Sequence, residues 1–185
     1  MTRIMIIVGS VRPVRKGTAV AQWVRERLAA VDGVEIDWAD LREIALPFYD
    51  ETIPAAAGKY EHEHTRAWAA RVGAADGFIL VNPEYNGSFV ASVKNAFDYL
   101  YAEWFRKPIG FVNYGNFGGG GRSAAALQPV ITTLGLVRAR PDVSIRMIDD
   151  QIVGGVLEPT EVHEQTLQTL IADLLRLAEG LKALR

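Results

Sequence analysis

Ile4-Met5-Ile6-Ile7-Val8-Gly9-Ser10-Val11-Arg12-Pro13-Val14-Arg15-Lys16-Gly17-Thr18 carries an unbroken apolar run through a Gly/Ser turn into a stretch of helical period that starts near Ala19. A run of this kind is what a strand covered on both faces looks like, and a helix following directly after it opens a βαβ unit. The turn leaves the first N–H groups of that helix without partners at the positive end of its dipole, where an anion is stabilised. Arg12, Arg15 and Lys16 crowd the same end, although the dipole repels cations there unless an anion lies between them. An arginine fork can give a phosphate two charge-assisted hydrogen bonds, so the stretch points to a phosphate cradle. The plainer alternative is that Ser10 and Thr18 cap the helix and the cations are solvated. The segment matches neither G-x-x-x-x-G-K-[ST] nor G-x-G-x-x-G, so nucleotide triphosphate hydrolysis and the standard dinucleotide fingerprint lose their main support.

Outward from this turn, short apolar runs alternate with longer helical patterns, as in a parallel sheet with crossover helices. Five strands are predicted: Arg3 to Val8, Val34 to Asp40, Gly77 to Asn82, Pro108 to Tyr114, and Arg140 to Ile145. Phe78-Ile79-Leu80-Val81 and Ile109-Gly110-Phe111-Val112 read as strands buried on both faces. The first helix carries an apolar stripe of Val20, Trp23, Val24, Leu28 and Val31 and is stopped by Asp32-Gly33. Further helices are predicted from about Tyr60 to Val72, Phe89 to Trp104, Ser123 to Leu134, and from Pro159 onward. The last has a stripe of Leu167, Leu170, Ile171, Leu174, Leu175, Ala178 and Leu181. This alternation predicts an α/β fold, an open doubly wound five-stranded parallel sheet of order 2-1-3-4-5 with helices on both faces.

With 185 residues and 49% hydrophobic content, a single domain spanning 1–185 is expected. A net charge of -2 gives no electrostatic footprint for nucleic acid or an anionic membrane surface. No apolar run reaches the ~18 residues of a membrane span and no leader pattern precedes the first strand, so a cytoplasmic chain is expected. The absence of cysteine excludes disulfides, thiolate nucleophiles and thiol relays, so any redox chemistry requires a bound cofactor.

In such a sheet, ligands bind outside the carboxyl ends of the strands at the switch point, where the loops after the first, third and fourth strands converge. The loop after the third strand, Asn82-Pro83-Glu84-Tyr85-Asn86-Gly87-Ser88, combines a fixed dihedral at Pro83, a tight-turn Asn-Gly pair and the flat ring of Tyr85. The loop after the fourth, Tyr114-Gly115-Asn116-Phe117-Gly118-Gly119-Gly120-Gly121-Arg122, lets backbone come close to a ligand. Either loop alone reads as chain reversal. Together with the phosphate turn, they suit a phosphorylated flat heterocycle.

The chain resembles the NADPH-dependent FMN reductases of the flavodoxin-like superfamily, which include quinone, azo-dye and chromate reductases. The resemblance rests on Gly9-Ser10-x-Arg12-x-x-Arg15 with Thr18, on Pro83-Glu84-Tyr85-Asn86-Gly87-Ser88 followed by Val93-Lys94-Asn95-Ala96-x-Asp98, and on Tyr114-Gly115 through Gly118-Gly119 with Arg122. It extends from about Arg3 to about Ile145. It implies that Ser10, Arg12, Arg15, Gly17 and Thr18 hold the FMN phosphate. Pro83, Glu84, Tyr85 and Asn86 line the flavin ring, and Gly115 and Gly118 approach its pyrimidine side. It implies NADPH or NADH as co-substrate, a small-molecule electron acceptor (quinone, flavin or azo compound), ping-pong kinetics, and a homodimer or homotetramer. No residue is expected to be catalytic in the proton-transfer sense, because hydride transfer is the cofactor's chemistry.

Two other classes fit an FMN-binding chain: a flavodoxin-type electron carrier and a flavin-binding redox sensor, each serving a protein partner. The balance of 20 basic against 22 acidic residues disfavours the strongly acidic docking surface of a carrier. His62-Glu63-His64 has metal-capable side chains, but on a helix residues two apart do not share a face, so no metal site is expected. His163 reads as an exposed first-turn residue and Asp149-Asp150 as a turn pair. Of the aromatic run Tyr99, Tyr101, Trp104, Phe105, the charged end around Trp104 and Phe105 is expected to join a subunit contact.

Overall fold

In the computed structural model, which describes residues 1–185, the N-terminal apolar run is strand β1 (Thr2–Val8), hydrogen-bonded between β2 (Val34–Asp40) and β3 (Gly77–Pro83). β3 pairs with β4 (Pro108–Tyr114), which pairs with β5 (Val137–Arg138) and, further along, with β6 (Val143–Ile145). All these ladders are parallel and the order is β2-β1-β3-β4-β5, the expected doubly wound sheet.

Every residue of β3 and β4 is buried, because each strand has a core on both sides. The period-2 alternation sorts them. Phe78, Leu80, Ile109 and Phe111 face α3 (Glu63–Ala74), α4 (Ala91–Asp98) and α5 (Gly121–Thr133), while Ile79, Val81, Val112 and Tyr114 face α1 (Gly17–Ala29) and α6 (Glu161–Leu181). The α6 stripe buries Leu167, Leu170, Ile171, Leu174 and Ala178, each large side chain stabilising the fold by about 1.5–3 kcal/mol. Where α6 crosses β4 the strand carries a glycine, and a Cβ at Gly110 would come within 2.9 Å of Leu170 Cδ1 and force that side chain to shift.

Besides α3, which starts at Glu63 rather than near Tyr60, three predicted elements differ from the structure. The fifth strand is not continuous over Arg140 to Ile145 but split into β5 and β6. The β5 ladder runs out at Ala139, which donates to Ile109. Arg140 N–H then turns away to Asp173 and Pro141 has no N–H to give, so pairing resumes only at Val143. The helix predicted over Phe89 to Trp104 is α4 plus a separate 3-10 turn at Ala102–Trp104. Trp104 folds back into the core, where its indole donates to Phe97 O and packs edge-on against Trp68, Phe78 and Phe97. Pro159 lies just outside α6, whose N-cap is Thr160. A short helix α2 (Leu41–Ile44) follows β2, and a hairpin of β7 (Ile152–Val153) and β8 (Val156–Leu157) precedes α6.

Candidate functional site

β1, β3 and β4 end on the same edge, and the loops that leave them enclose a hollow of about 320 Å³. Ser10, Arg12 and Arg15 line it from the first loop, Pro83, Glu84 and Tyr85 from the second, and Gly115 from the third. A larger groove of about 610 Å³ between α1 and the β7–β8 hairpin shares Arg15 and Lys16 with it. The hollow, not the groove, is where the three loops meet, so donor chemistry rather than size marks the site.

The first loop is a set of unused donors. Gly9 N–H closes the strand by bonding Val81 O, but no backbone N–H from Ser10 through Thr18 donates to an acceptor of the protein. The helix N-cap is Lys16 and carries no side-chain cap, so neither Ser10 nor Thr18 caps α1. Ser10 is buried with its hydroxyl 3.1 Å from that of Tyr85, tying the first loop to the second. Gly9 and Gly17 are required by packing: a Cβ at Gly9 would come 2.7 Å from Val93 Cγ2, and one at Gly17 would come 2.5 Å from the Tyr114 hydroxyl. Such a run of free N–H groups at a helix start, with cations around it, fits a phosphate monoester.

The two arginines are placed differently. Arg12 is exposed, lines the hollow and forms no ion pair. Arg15 is held by the protein: its guanidinium makes two bonds to Asp40, at 2.7 and 2.5 Å, one to Ser10 O at 2.9 Å and one from Nε to Thr18 Oγ1 at 3.0 Å. The side chains of this pair are 10% and 2% exposed. Asp40 also caps α2 by accepting the Arg42 N–H, so the last residue of β2 locks the first loop to the neighbouring element. Lys16 pairs at 3.1 Å with exposed Asp149, which lies in a 3-10 turn at the rim of the hollow.

In the second loop Asn86 and Gly87 both have positive φ, 51° and 79°, and Tyr85 and Ser88 exchange backbone hydrogen bonds of 2.9 and 3.0 Å across them. This is the tight turn the Asn-Gly pair predicts. The turn aims Tyr85 at the hollow and leaves Asn86 outside its lining. In the third loop Gly115 lines the hollow, whereas Gly118 packs against the Glu84 carboxylate, where a Cβ would be 3.3 Å from Oε2. Gly17 and Thr18 also lie outside the lining, Gly17 beneath Tyr114 and Thr18 facing the groove. Tyr114, which opens the third loop in the sequence reading, is a site residue to which the resemblance gives no role. As the last residue of β4 on the α1 face it lines the hollow, and burial pushes its phenol above the ordinary value. Its strand-face alternation with Val112 was the available signal.

Elsewhere, His62 and His64 do come together: their rings stack with centroids 5.1 Å apart. His62 is the extended N-cap of α3, with φ -95° and ψ 145°, so the helical-face argument does not apply to it. Glu51, Glu61 and His62 also offer metal-capable atoms close together. The buried Glu51 carboxylate, however, accepts the N–H groups of Glu61 and His62 at 2.7 and 3.1 Å and thereby caps the start of α3. His163 is half-buried rather than exposed and forms a capping box with Thr160. The aromatic end is divided: Tyr99 and Trp104 are core, Tyr101 and Phe105 are exposed. No helix is long and apolar enough to cross a membrane.

The chain is similar to NAD(P)H-dependent FMN reductases and to FMN-dependent NADPH-azoreductases. It is 38% identical over 159 residues to the NAD(P)H-dependent FMN reductase C4B3.06c of Schizosaccharomyces pombe, covering 85% of this chain and 79% of that protein. It is 32% identical to the NAD(P)H-dependent FMN reductase LOT6 of Saccharomyces cerevisiae, over 94% and 96% of the two chains. Among solved structures, the flavoenzyme NAD(P)H:(acceptor) oxidoreductase FerB from Paracoccus denitrificans superposes with a TM-score of 0.70 over 99% of this chain and 98% of that one; at 20% identity this likeness speaks for the fold. The model of the NADPH-dependent FMN reductases matches residues 2–149, which hold all three loops of the hollow and the rim residue Asp149; on this match the chain belongs to that family of oxidoreductases.

Proposed function

We propose that the hollow holds FMN, with the phosphate in the Ser10–Thr18 loop and the ring between the other two loops, and that the chain passes electrons from NADPH or NADH to small acceptors such as quinones, flavins or azo compounds. The observation that carries this reading is that none of the backbone N–H groups between Ser10 and Thr18, where only Pro13 lacks one, is used by the protein, beside the unpaired Arg12. When bound, FMN supplies the two-electron chemistry that a chain without cysteine thiols cannot supply through them.

The protein's own groups then have separable roles. Arg12 supplies a charge-assisted bond to the phosphate, and the loop N–H groups supply the rest. Arg15 acts through the backbone, since its bonds to Asp40 and Ser10 O hold the loop open in the donor geometry. Tyr85 offers a flat face and through Ser10 couples ring loop to phosphate loop. Gly115 keeps backbone against the ring edge. Reduced nicotinamide and acceptor use the hollow in turn, so the kinetics are ping-pong. We also propose self-association as a homodimer or homotetramer. The feature favouring it is an apolar groove of about 440 Å³ beside α4, lined by Leu41, Leu46, Pro47 and Ala91, with the exposed Phe48 at its side. Sedimentation at micromolar concentration tests this, and a strict monomer overturns it.

The flavin reading is tested by the visible spectrum of the protein reconstituted with FMN, before and after anaerobic NADPH. A bound flavin band that bleaches, together with parallel initial-rate lines when NADPH and a quinone are varied, is the expected result. Failure to take up FMN overturns the reading, and intersecting lines overturn the shared site.

A further inference from the structure

The ion pair between Glu84 and Arg122 is one that stability alone does not account for. Glu84 lies in the second loop and lines the hollow, and its carboxylate side chain is 8% exposed. Arg122 lies in the first turn of α5, directly after the third loop, and its side chain is 70% exposed. Oε1 accepts from Arg122 Nε at 2.7 Å and pairs with Nη2, while Oε2 accepts the Arg122 backbone N–H at 3.2 Å. The N-cap of α5, Gly120, has no side chain and the first turn holds no acid, so Glu84 reaches across from another loop to cap this helix.

The cap requires the carboxylate but not the guanidinium. An arginine at a helix N-terminus opposes the dipole, and with its side chain 70% exposed the guanidinium is itself largely solvated, so it adds little to stability. What the guanidinium does is neutralise a nearly buried carboxylate at the wall of the hollow. A flavin ring gains negative charge when reduced, and an unbalanced carboxylate beside it would disfavour that form.

We propose that Glu84 and Arg122 form a charge-balanced latch that joins the two ring loops and sets the reduction potential of the bound flavin, with Arg122 as a positioning and potential-setting residue. The inference rests on the FMN reading of the hollow and goes beyond it, because it assigns opposite electrostatic signs to two side chains. Arg122→Gln leaves Glu84 held by the residue 122 N–H but uncompensated. Glu84→Gln keeps the shape and removes the negative charge.

The test is the midpoint potential of FMN bound to each variant, measured anaerobically against indicator dyes, with dissociation constants for oxidised FMN measured alongside. In Glu84→Gln the potential rises, corresponding to reduced FMN gaining about tenfold in affinity relative to oxidised; in Arg122→Gln it falls by a comparable amount. The double variant returns close to the wild-type value. Shifts of the same sign in both single variants, or unchanged potentials, overturn the proposal and leave the pair a structural brace. A fold problem is separated by thermal melting of each apo-protein. If wild-type protein takes up no FMN, the reading of the hollow fails; if it does and the potentials do not move in opposite directions, only the latch fails.

Discussion

Arg12 and Arg15 sit three positions apart in one loop and do different work, one facing the hollow without a partner and the other locked to Asp40. Arg12→Gln should therefore cost one charge-assisted bond, about 1.5–3 kcal/mol or roughly 10- to 150-fold in FMN affinity, with little change in Tm. Asp40→Asn should act on the fold and, through the loop that Arg15 holds, on FMN affinity as well. It leaves a nearly buried guanidinium uncompensated, so roughly 3–5 kcal/mol of stability and a Tm drop on the order of 10 °C are expected by thermal melting. Gly17→Ala drives a methyl into the Tyr114 hydroxyl and should weaken both folding and FMN uptake, by about 1–3 kcal/mol in stability. Tyr114→Phe added to it should restore part of that loss. A Gly17→Ala protein with wild-type Tm and FMN affinity would show that the close approach is not required. The glycines and the free cation were legible because turn chemistry is local. The Asp40 partner was not, since 25 residues and a sheet neighbour separate it from Arg15.

Among the elements, α6 shows how a cap couples to pH. Thr160 Oγ1 accepts the His163 N–H, and the Thr160 N–H is accepted by His163 Nδ1 at 3.2 Å, an arrangement that needs the neutral imidazole. Burial pushes the His163 imidazole below its ordinary 6.5, against the opposing charge of Glu164. A base whose folded value is lowered binds more protons when unfolded, so this contribution is complete above about pH 6.5 and is lost as pH falls through the folded value. His163→Gln keeps a capping-box acceptor that does not titrate, and its Tm should fall less than wild type between about pH 7 and about pH 5. Equal falls would remove His163 from the acid response. Strand and helix positions were largely readable from periodicity, with β2 and β4 lying at Val34–Asp40 and Pro108–Tyr114 as expected. The fifth strand and the end of α4 were not, because a side-chain acceptor on α6 and an inward-folding Trp104 decide them, and tertiary contacts leave no periodic mark.

At the scale of the whole molecule, the 2-1-3-4-5 order brings three loops, distant in sequence, to one sheet edge, and this is why the hollow could be anticipated from strand count alone. Its rim could not. Asp149 reaches Lys16 only because the segment after β6 returns across α1, and nothing in its composition marks that path. Which acceptor enters depends on the same rim, so the chemistry is set by the loops and the selectivity by residues around them. The central claim is that the Ser10–Thr18 loop recognises a phosphate monoester on a flavin. Titrating apo-protein with FMN and with riboflavin, followed by quenching of flavin fluorescence, separates the phosphate from the ring. FMN should bind at least about 100-fold more tightly, with most of that margin lost in Arg12→Gln. Equal affinities for the two flavins would contradict it.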